Sequence, residues 1–551
     1  MTGVMVVGGA GVFGSRLLEG LAATTDVSIV IAGRDRKRSE AAAAILSARY
    51  PQARIETAII DTGTVTASDL RAAGADIVVD AAGPFQGAEP RLAKAAIEAG
   101  LDYVDLADAR DFVASFPHLD ADAKTARVVA VTGMSSTPAL SHAVLDAITD
   151  GWRRIDRVEV GISPGNRTPR GQSVIAAILA WAGQPVRVFV EGAWTSRRGW
   201  SGTVTRSMAE LGTRRFALAE TPDLDLLAVR FRPRDAAIFR AGLELHILHY
   251  GLSLFALLPR SGLVRSLVPL ARGFYFLASL FEPFGTDWGG MVIEAAGRDH
   301  TDRPVISRWN LVAEAGDGPY VPTLPALALI RQLVADRASL PFGARTGAGL
   351  LPLAAIGAEF ARLRIKTAGK TFYPLAPFEA ALAQNVETLP QAVKAVHRAG
   401  PVARLAGRAR VEGAETAAAR LLARLVGFPQ ASEHVPVHVA MRLESDGTET
   451  WQRAFGTRRF RSRLAPLRPS VVSERFGPFS FDLALEAASD GLRMRVAGWR
   501  VGRLPLPLFL APRSDAVESV DVQGRFCFDV PIALPLIGRL VCYRGWLALL
   551  P

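Results

Sequence analysis

Cysteine is nearly absent: Cys527 and Cys542 are the two in 551 residues. That excludes a disulfide scaffold and a multi-cysteine zinc cluster, and sets a reduced, cytoplasmic chain as the expectation. Lysine is scarce too. Six of the 64 basic residues are Lys (Lys37, Lys94, Lys124, Lys366, Lys370, Lys394), leaving 58 Arg. The net charge is +11, but the Arg residues are scattered, apart from a cluster between Arg453 and Arg468. Such a bias fits a GC-rich genome better than phosphate binding, so nucleic acid is not expected as a partner. The start, Met1-Thr2-Gly3-Val4, lacks a basic segment and a cleavage site, and no signal peptide is expected. Long uninterrupted apolar runs are also missing. The best stretch, Leu263 to Phe281, is broken by Arg265 and Arg272, and a charge near a bilayer centre costs about 2.5–3.5 kcal/mol on insertion scales. A crossing helix is not expected there, while a peripheral, interfacial contact is compatible with it.

Hydrophobic residues make up 49% of the chain and charged residues 21%, enough to bury sizeable cores. At roughly 150 residues per domain, the length suggests about three or four domains. The first is the most legible. Val4 to Val7 is a short apolar run followed by Gly8-Gly9-Ala10-Gly11-Val12-Phe13-Gly14 and an amphipathic segment. This reads as strand, glycine turn and helix, with Gly9, Gly11 and Gly14 in a G-x-G-x-x-G pattern. Gly9 is expected to permit the tight turn, Gly11 to let a pyrophosphate approach the backbone, and Gly14 to let the helix pack on the strand. Free N–H groups at the helix start would then face the phosphates, so Ala10, Val12 and Phe13 join the candidate site. Val27 to Ala32 is a second buried strand ending in Gly33-Arg34-Asp35. Where an NAD site usually places an acid, about twenty residues beyond the turn, Gly33 and Arg34 stand instead. A guanidinium pairs with a 2′-phosphate, so NADP(H) is the expected cofactor.

The alternation continues through strands at Arg54–Ile60, Ile77–Ala82, Tyr103–Leu106 and Val128–Val131. It specifies a doubly wound parallel sheet of the Rossmann type, with ligand beyond the carboxyl ends of the strands. Asp61 is placed to contact the adenine end, and Ala82, Gly83 and Pro84 to border the nicotinamide, together with the loop Gly133 to Thr137.

The set Gly8–Gly14, Ala32-Gly-Arg34, Asp80-Ala-Ala-Gly-Pro-Phe-Gln86, Tyr103-Val-Asp-Leu-Ala-Asp108 and Gly133-Met-Ser-Ser-Thr-Pro138 resembles the saccharopine dehydrogenase-like oxidoreductases. The resemblance covers about residues 1 to 366. It implies an NADP-binding domain followed by a mixed α/β domain, after which the chain returns to the first. Gly133-Met-Ser-Ser-Thr-Pro138 departs from the commoner Gly-Phe-Asp-Ser-x-Pro by lacking the Asp. Near the C-terminus, Trp451-x-Arg453-x-Phe455, Gly524-Arg525-Phe526 and Tyr543-Arg-Gly-Trp546 resemble a domain of unknown function, DUF4166, which brings no activity.

The expected organisation is a dinucleotide-binding domain over residues 1–140, an α/β substrate and dimerisation domain over 141–366, a Pro-containing linker over 367–405 and an antiparallel β-rich domain over 406–551. In the second, Val158–Ile162, Val186–Glu191 and Met291–Ala296 read as strands. Gly171–Ala182 and Leu324–Ala335 read as helices. The apolar stretch Ala241 to Phe284 reads as core or subunit interface, or as a pocket wall or membrane-facing lip for a hydrophobic substrate. In the last, one helix (Ala414–Val426) precedes strands at Val437–Leu443, Thr448–Phe455, Phe479–Leu485, Leu492–Val501, Val517–Val530 and Leu540–Leu547. Asp446-Gly447 and Asp490-Gly491 supply hairpin turns, and the result is a half-open sheet or small barrel. The Arg453–Arg468 cluster reads as a solvated face or an anion site, and the two Cys as facing each other in the core.

Absent motifs narrow the chemistry. No Tyr is followed four places later by Lys, so a short-chain dehydrogenase mechanism is not expected. No His-Glu-x-x-His occurs, and His246 and His249 lack a third ligand, so no metal is expected. Gly161-Ile-Ser163-Pro-Gly165 matches a nucleophile elbow in letters only, since a loop and not a helix should follow. The expectation is an NADP(H)-dependent oxidoreductase transferring hydride to or from a C=N, C=O or C=C bond of a small or lipid-like substrate. The alternative is a catalytically silent NADP-sensing or lipid-binding protein. Asp105, Asp108, Ser135, Ser136, Thr137 and His142 are candidate proton donors, and none is singled out as catalytic.

Overall fold

The structure is a computed structural model that describes residues 2–169, 172–208 and 210–550. The chain divides into two compact units. The first takes residues 1–150, 157–295 and 307–370, and the second takes 151–156, 296–306 and 371–551.

The first unit opens with six strands: β1 (Thr2–Val7), β2 (Val27–Gly33), β3 (Arg54–Ile59), β4 (Ile77–Asp80), β5 (Asp102–Asp105) and β6 (Val129–Thr132). They lie parallel in the order 3-2-1-4-5-6. Val4 to Val7 and Ile29 to Ala32 are fully or nearly buried, as expected for strands covered by helices on both faces. The strand order reverses between β1 and β4, which opens a crevice at the carboxyl edge.

A second, mixed sheet follows. Its path runs β10 (Val204–Met208), β11 (Gly212–Leu218), β12 (Ala236–Ala241), β7 (Arg154–Ser163), β13 (Gly289–Arg298), β14 (Pro304–Ala313) and β16 (Ile365–Phe372). The hairpin of β8 (Pro185–Val190) and β9 (Ala193–Arg198) attaches through β12. A helix covers Gln172–Trp181; Gly171, expected as its first residue, lies outside the described residues. The chain then returns, as the resemblance implies. The helix Leu324–Ala335 seats Leu327 against Gly20 of the first helix, and β15 (Gly343–Thr346) adds a seventh parallel strand beside β6. Ser163 ends β7 and residues 164–169 are loop and turn, so no helix starts at the Ser and the Gly161–Gly165 letters form no elbow.

The second unit holds an 11-stranded antiparallel sheet. Phe479–Ala488 pairs both with Val471–Phe476 and with Gly491–Val501. That double pairing closes the sheet into a barrel and leaves Leu504–Leu506 as a short arm. The barrel is therefore closed and not half-open, which removes free edges. Between residues 371 and 401 lie helices at Pro377–Leu382 and Gln391–His397. Phe378, Leu382, Val386, Val393 and Val396 are buried in one core with Val437, Leu464, Val472 and Val541 of the barrel.

Three local readings change here. Val517–Val530 is two strands, Asp515–Val520 and Phe526–Leu534. The Asp521 carboxylate accepts from the N–H groups of Gln523 and Arg525, and Gly524 at φ +77° completes the turn. The Arg cluster is itself a strand, Arg458–Arg468, with Ser462 and Leu464 buried while Arg461 and Arg463 are exposed. These charges are its outer face, the solvated-face reading, whereas Arg453 lies on the neighbouring strand Glu449–Phe455, where it pairs with Glu474 at 3.0 Å. Cys527 lies opposite Trp546 and Cys542 opposite Pro531, so the two thiols are offset on neighbouring strands and remain free.

Candidate active site

The first loop beyond β1 makes the floor. Gly8 adopts φ +82°, so the left-handed residue of the turn is Gly8 and not Gly9. A Cβ on Gly8 would stand 2.7 Å from the Ala81 backbone, one on Gly14 2.3 Å from the Gly8 carbonyl oxygen, and one on Gly9 2.9 Å from Ile31. These three glycines are fixed by packing. Gly11 differs: a Cβ there would touch only the Gly8 oxygen, at 3.0 Å, and otherwise face the cleft. Gly11 is also the N-cap of the helix Val12–Thr24, with no side chain capping it. The free N–H groups of its first turn, with the positive end of the helix dipole, form an anion cradle. Gly8, Ala10, Gly11, Val12 and Phe13 line the cleft, and Gly9 and Gly14 lie beneath it.

At the end of β2, Arg34 lines the same cleft, is exposed, and makes no salt bridge among the described residues. The neighbouring Asp35 is engaged: its carboxylate accepts from the Arg38 N–H and caps the helix Arg36–Arg49. Arg38 and Ser39 join the lining. They fall on the first turn of that helix, which puts a second Arg in the same lining. Beyond β3 the lining residues are Ile60 and Thr62. Asp61 folds back instead, and its carboxylate accepts from the Gly63 N–H at 2.9 Å. A cradle that a Cβ would obstruct, uncapped N–H groups and two guanidinium groups at the strand end are the features a 2′-phosphorylated dinucleotide requires, so these residues fit NADP(H).

Two buried carboxyls support the opposite side. Asp80 and Asp105 end the adjacent strands β4 and β5, in register with each other. Asp80 accepts from the Ala82 N–H at 2.9 Å. Asp105 accepts from the N–H groups of Ala107 at 3.0 Å and Gly133 at 2.7 Å and from the Thr132 hydroxyl at 3.0 Å. They thereby fix the loops Ala81–Pro84 and Gly133–Thr137. Burial pushes the Asp80 carboxyl up to about 6 and the Asp105 carboxyl up to about 7, against the pull of those hydrogen bonds. Burial, then the two neighbouring carboxylates, drive the Tyr103 phenol well above its ordinary range. Of the candidate proton donors, Asp108, Ser135, Ser136 and Thr137 line the cleft together with Ala82, Gly83 and Pro84. Asp105 lies beneath it, and His142 is fully buried beside Asp223, with Nε2 3.5 Å from the carboxylate. Asp108 is exposed where it lines the cleft; partial loss of solvation there raises its carboxyl, and the Gln86 amide donates to it at 3.3 Å.

The cleft does not stop at the loops. It encloses about 1230 Å³ and runs on between the two sheets of the first unit. There its walls are Ile162, Val174, Ile178, Trp181, Trp200, Leu218, Phe239 and Leu243. The guanidinium of Arg110 also reaches the wall but is already neutralised. It donates to the Glu220 carboxylate at 3.2 Å and forms a forked pair with Asp225. Burial opposes its charge, yet those two carboxylates outweigh it and hold its pKa above the ordinary value. Sequence reasoning missed this chamber because its residues come from one helix, three strands and two loop positions far apart in the chain. The only available signal was the apolar character of residues 241–284.

Residues 4–133 match the saccharopine dehydrogenase NADP binding domain. Residues 389–547 match a domain of unknown function, DUF4166. The first lies within the residues the resemblance covers, and the second begins at residue 389, ahead of the expected start of the β-rich domain at 406. Among solved structures, the apo form of saccharopine dehydrogenase (L-Glu forming) from Saccharomyces cerevisiae aligns at 12% identity and a TM-score of 0.51, covering 67% of this chain and 100% of that one. At that identity the likeness speaks for the fold alone. A probable dehydrogenase from Thermotoga maritima aligns at 10% identity and a TM-score of 0.34, covering 67% of this chain and 98% of that one, and supports nothing further. No curated protein matches the chain.

Proposed function

We propose that the chain is an NADP(H)-dependent oxidoreductase acting on a C=N, C=O or C=C bond of a hydrophobic substrate. The observation that carries this reading is the continuity of one cleft from the glycine turn to an apolar chamber. Bound in the turn, NADP(H) would supply or accept the hydride. The helix start at Gly11–Phe13 would hold the pyrophosphate, and Arg34, with Arg38, the 2′-phosphate. Ala82–Pro84 and Ser135–Thr137 would orient the reacting end. The chamber would exclude water and align the substrate, which converts a bimolecular encounter into a positioned one.

The chamber argues against a dicarboxylate amino-acid substrate. Such a substrate needs convergent cations, and beyond the adenosine end the cleft's described lining offers only Arg110, which two carboxylates already satisfy. Two carboxyls in the lining have raised pKa values. Glu220 is tied to Arg110, leaving Asp108 to carry the proton that accompanies hydride transfer.

NADPH consumption with a panel of long-chain aldehydes, enones and imines, beside oxo-dicarboxylates, tests the reading. Turnover with an apolar acceptor is expected, with kcat falling about 100-fold in Asp108→Asn while NADPH affinity stays unchanged. Turnover only with the dicarboxylates, or tight NADPH binding without turnover on any acceptor, would overturn it; the second result points to a silent, sensing protein.

A further inference from the structure

The helices at His246–Phe255, Leu257–Ser261 and Ala271–Leu280 form a layer with two faces. At about 100° per residue, Ile247, Tyr250 and Leu254 lie opposite His249 and Leu252 on the first helix. The outward set is exposed, with Ile247 at 63% and Leu254 at 66%, while His249 and Leu252 are buried. On the last helix, Phe276 and Leu280 are 64% and 54% exposed, opposite Ala271 and Phe274. The inner sides pack together: Phe255 and Phe274 meet edge to face at 5.2 Å, and Ala271 and Phe274 join the core around Leu252, Ala256 and Leu267. Leu263 and Phe284 extend the exposed apolar surface, at 73% and 75%. So much exposed large apolar surface in one stretch marks an interaction site.

The charge pattern selects the occupant. From Leu245 to Phe284 the chain contains Arg260, Arg265 and Arg272 against one acid, the exposed Glu282. All three Arg are exposed, and none makes a salt bridge among the described residues. A second copy of this chain on a two-fold axis would set these cations against their own kind, which is unfavourable. Among the described residues no helix is long and apolar enough to cross a membrane, and one of ten residues spans only about 15 Å. Short helices with outward aromatic and aliphatic side chains beside Arg are suited to lying in the headgroup region of an anionic bilayer.

We infer that the face formed by residues 246–284 docks on an anionic phospholipid bilayer and holds the chamber beside it. The helical layer and the cleft share a wall. Ile178, Ala182, Trp200, Ala241 and Leu243 belong both to the cleft lining and to the core beneath these helices. A docked chain therefore keeps its apolar chamber one layer of side chains from the lipid. The docking rests on the exposed face alone; that the bilayer also delivers the substrate rests on the oxidoreductase reading.

Sedimentation of the full chain with phosphatidylglycerol–phosphatidylcholine vesicles, and with phosphatidylcholine alone, tests it. Binding to the anionic vesicles is expected, weakened on the order of 100-fold when Arg260, Arg265 and Arg272 are all replaced by Gln, and falling as salt shortens the screening length. Phe276→Glu with Leu280→Glu should abolish it and leave NADPH affinity and Tm unchanged, since both side chains are exposed. Equal, salt-insensitive binding to both vesicles, or binding to neither, would overturn the inference. So would sedimentation velocity showing a dimer that Phe276→Glu dissociates. Vesicle binding by a chain that fails to bind NADPH would leave the docking standing and defeat the oxidoreductase reading instead.

Discussion

Asp80 and Asp105 show how much one side chain can decide. Each ends a strand, each is buried, and each spends its carboxylate on backbone N–H groups of a loop that borders the cleft. Burial and their mutual repulsion lift Asp105 from 3.8 to about 7. Between those values the folded chain keeps a proton that the unfolded chain releases. The stabilisation from this group is therefore complete below about pH 4 and lost as the pH rises to about 7, the reverse of an ordinary ion-paired carboxylate. Asp105→Asn keeps an acceptor for Gly133 and removes the titration. The Tm of the wild type should gain several degrees on that of the variant between pH 8 and pH 5, and a constant difference across that range would contradict the assignment. Both acids were visible in the sequence as members of family-like segments. Their role was not, because it depends on register: Asp80 and Asp105 become neighbours only once β4 and β5 pair.

Elements whose pattern is local were legible. Strand, glycine turn and helix follow one another within residues 2–24, and their spacing alone marks them. The detail of the turn was not legible, since two adjacent glycines can each take the bend and only the contact with Ala81 selects Gly8. The same contacts separate two substitutions. Gly14→Ala forces a Cβ to within 2.3 Å of the Gly8 carbonyl oxygen, so it should lower stability by about 1–3 kcal/mol and cost nucleotide binding as well. Gly11→Ala should leave Tm nearly unchanged and weaken NADPH binding at least tenfold, because its added methyl projects into the cleft where a bound pyrophosphate would lie. Thermal melts with and without nucleotide would distinguish the two, and identical behaviour would refute the division of roles. Elements with non-local partners were missed. β15 is four residues long and pairs with β6, some two hundred positions earlier in the chain, so no pattern within it identifies a strand. The strand Arg458–Arg468 was hidden by its charges, which are its outward residues, while the alternating Ser462 and Leu464 point inward.

For the molecule as a whole, architecture was more legible than purpose. A parallel sheet, a mixed sheet and an antiparallel β-rich domain follow from the order and composition of the elements. Closure of the last into a barrel turns on a single pairing, Phe479–Ala488 with Gly491–Val501. The chamber is the least legible feature, assembled from side chains as distant as Ile162 and Phe239. Its apolar walls, continuous with the glycine turn, are what the proposed reading of a hydrophobic substrate rests on. The first requirement is the 2′-phosphate. Calorimetric titration of the full chain with NADPH and with NADH, repeated for Arg34→Ala, tests it most directly. Wild-type affinity should favour NADPH at least tenfold, and the substitution should erase that preference while leaving NADH binding as it was. Equal affinities for the two nucleotides, unmoved by the loss of the guanidinium, would contradict it.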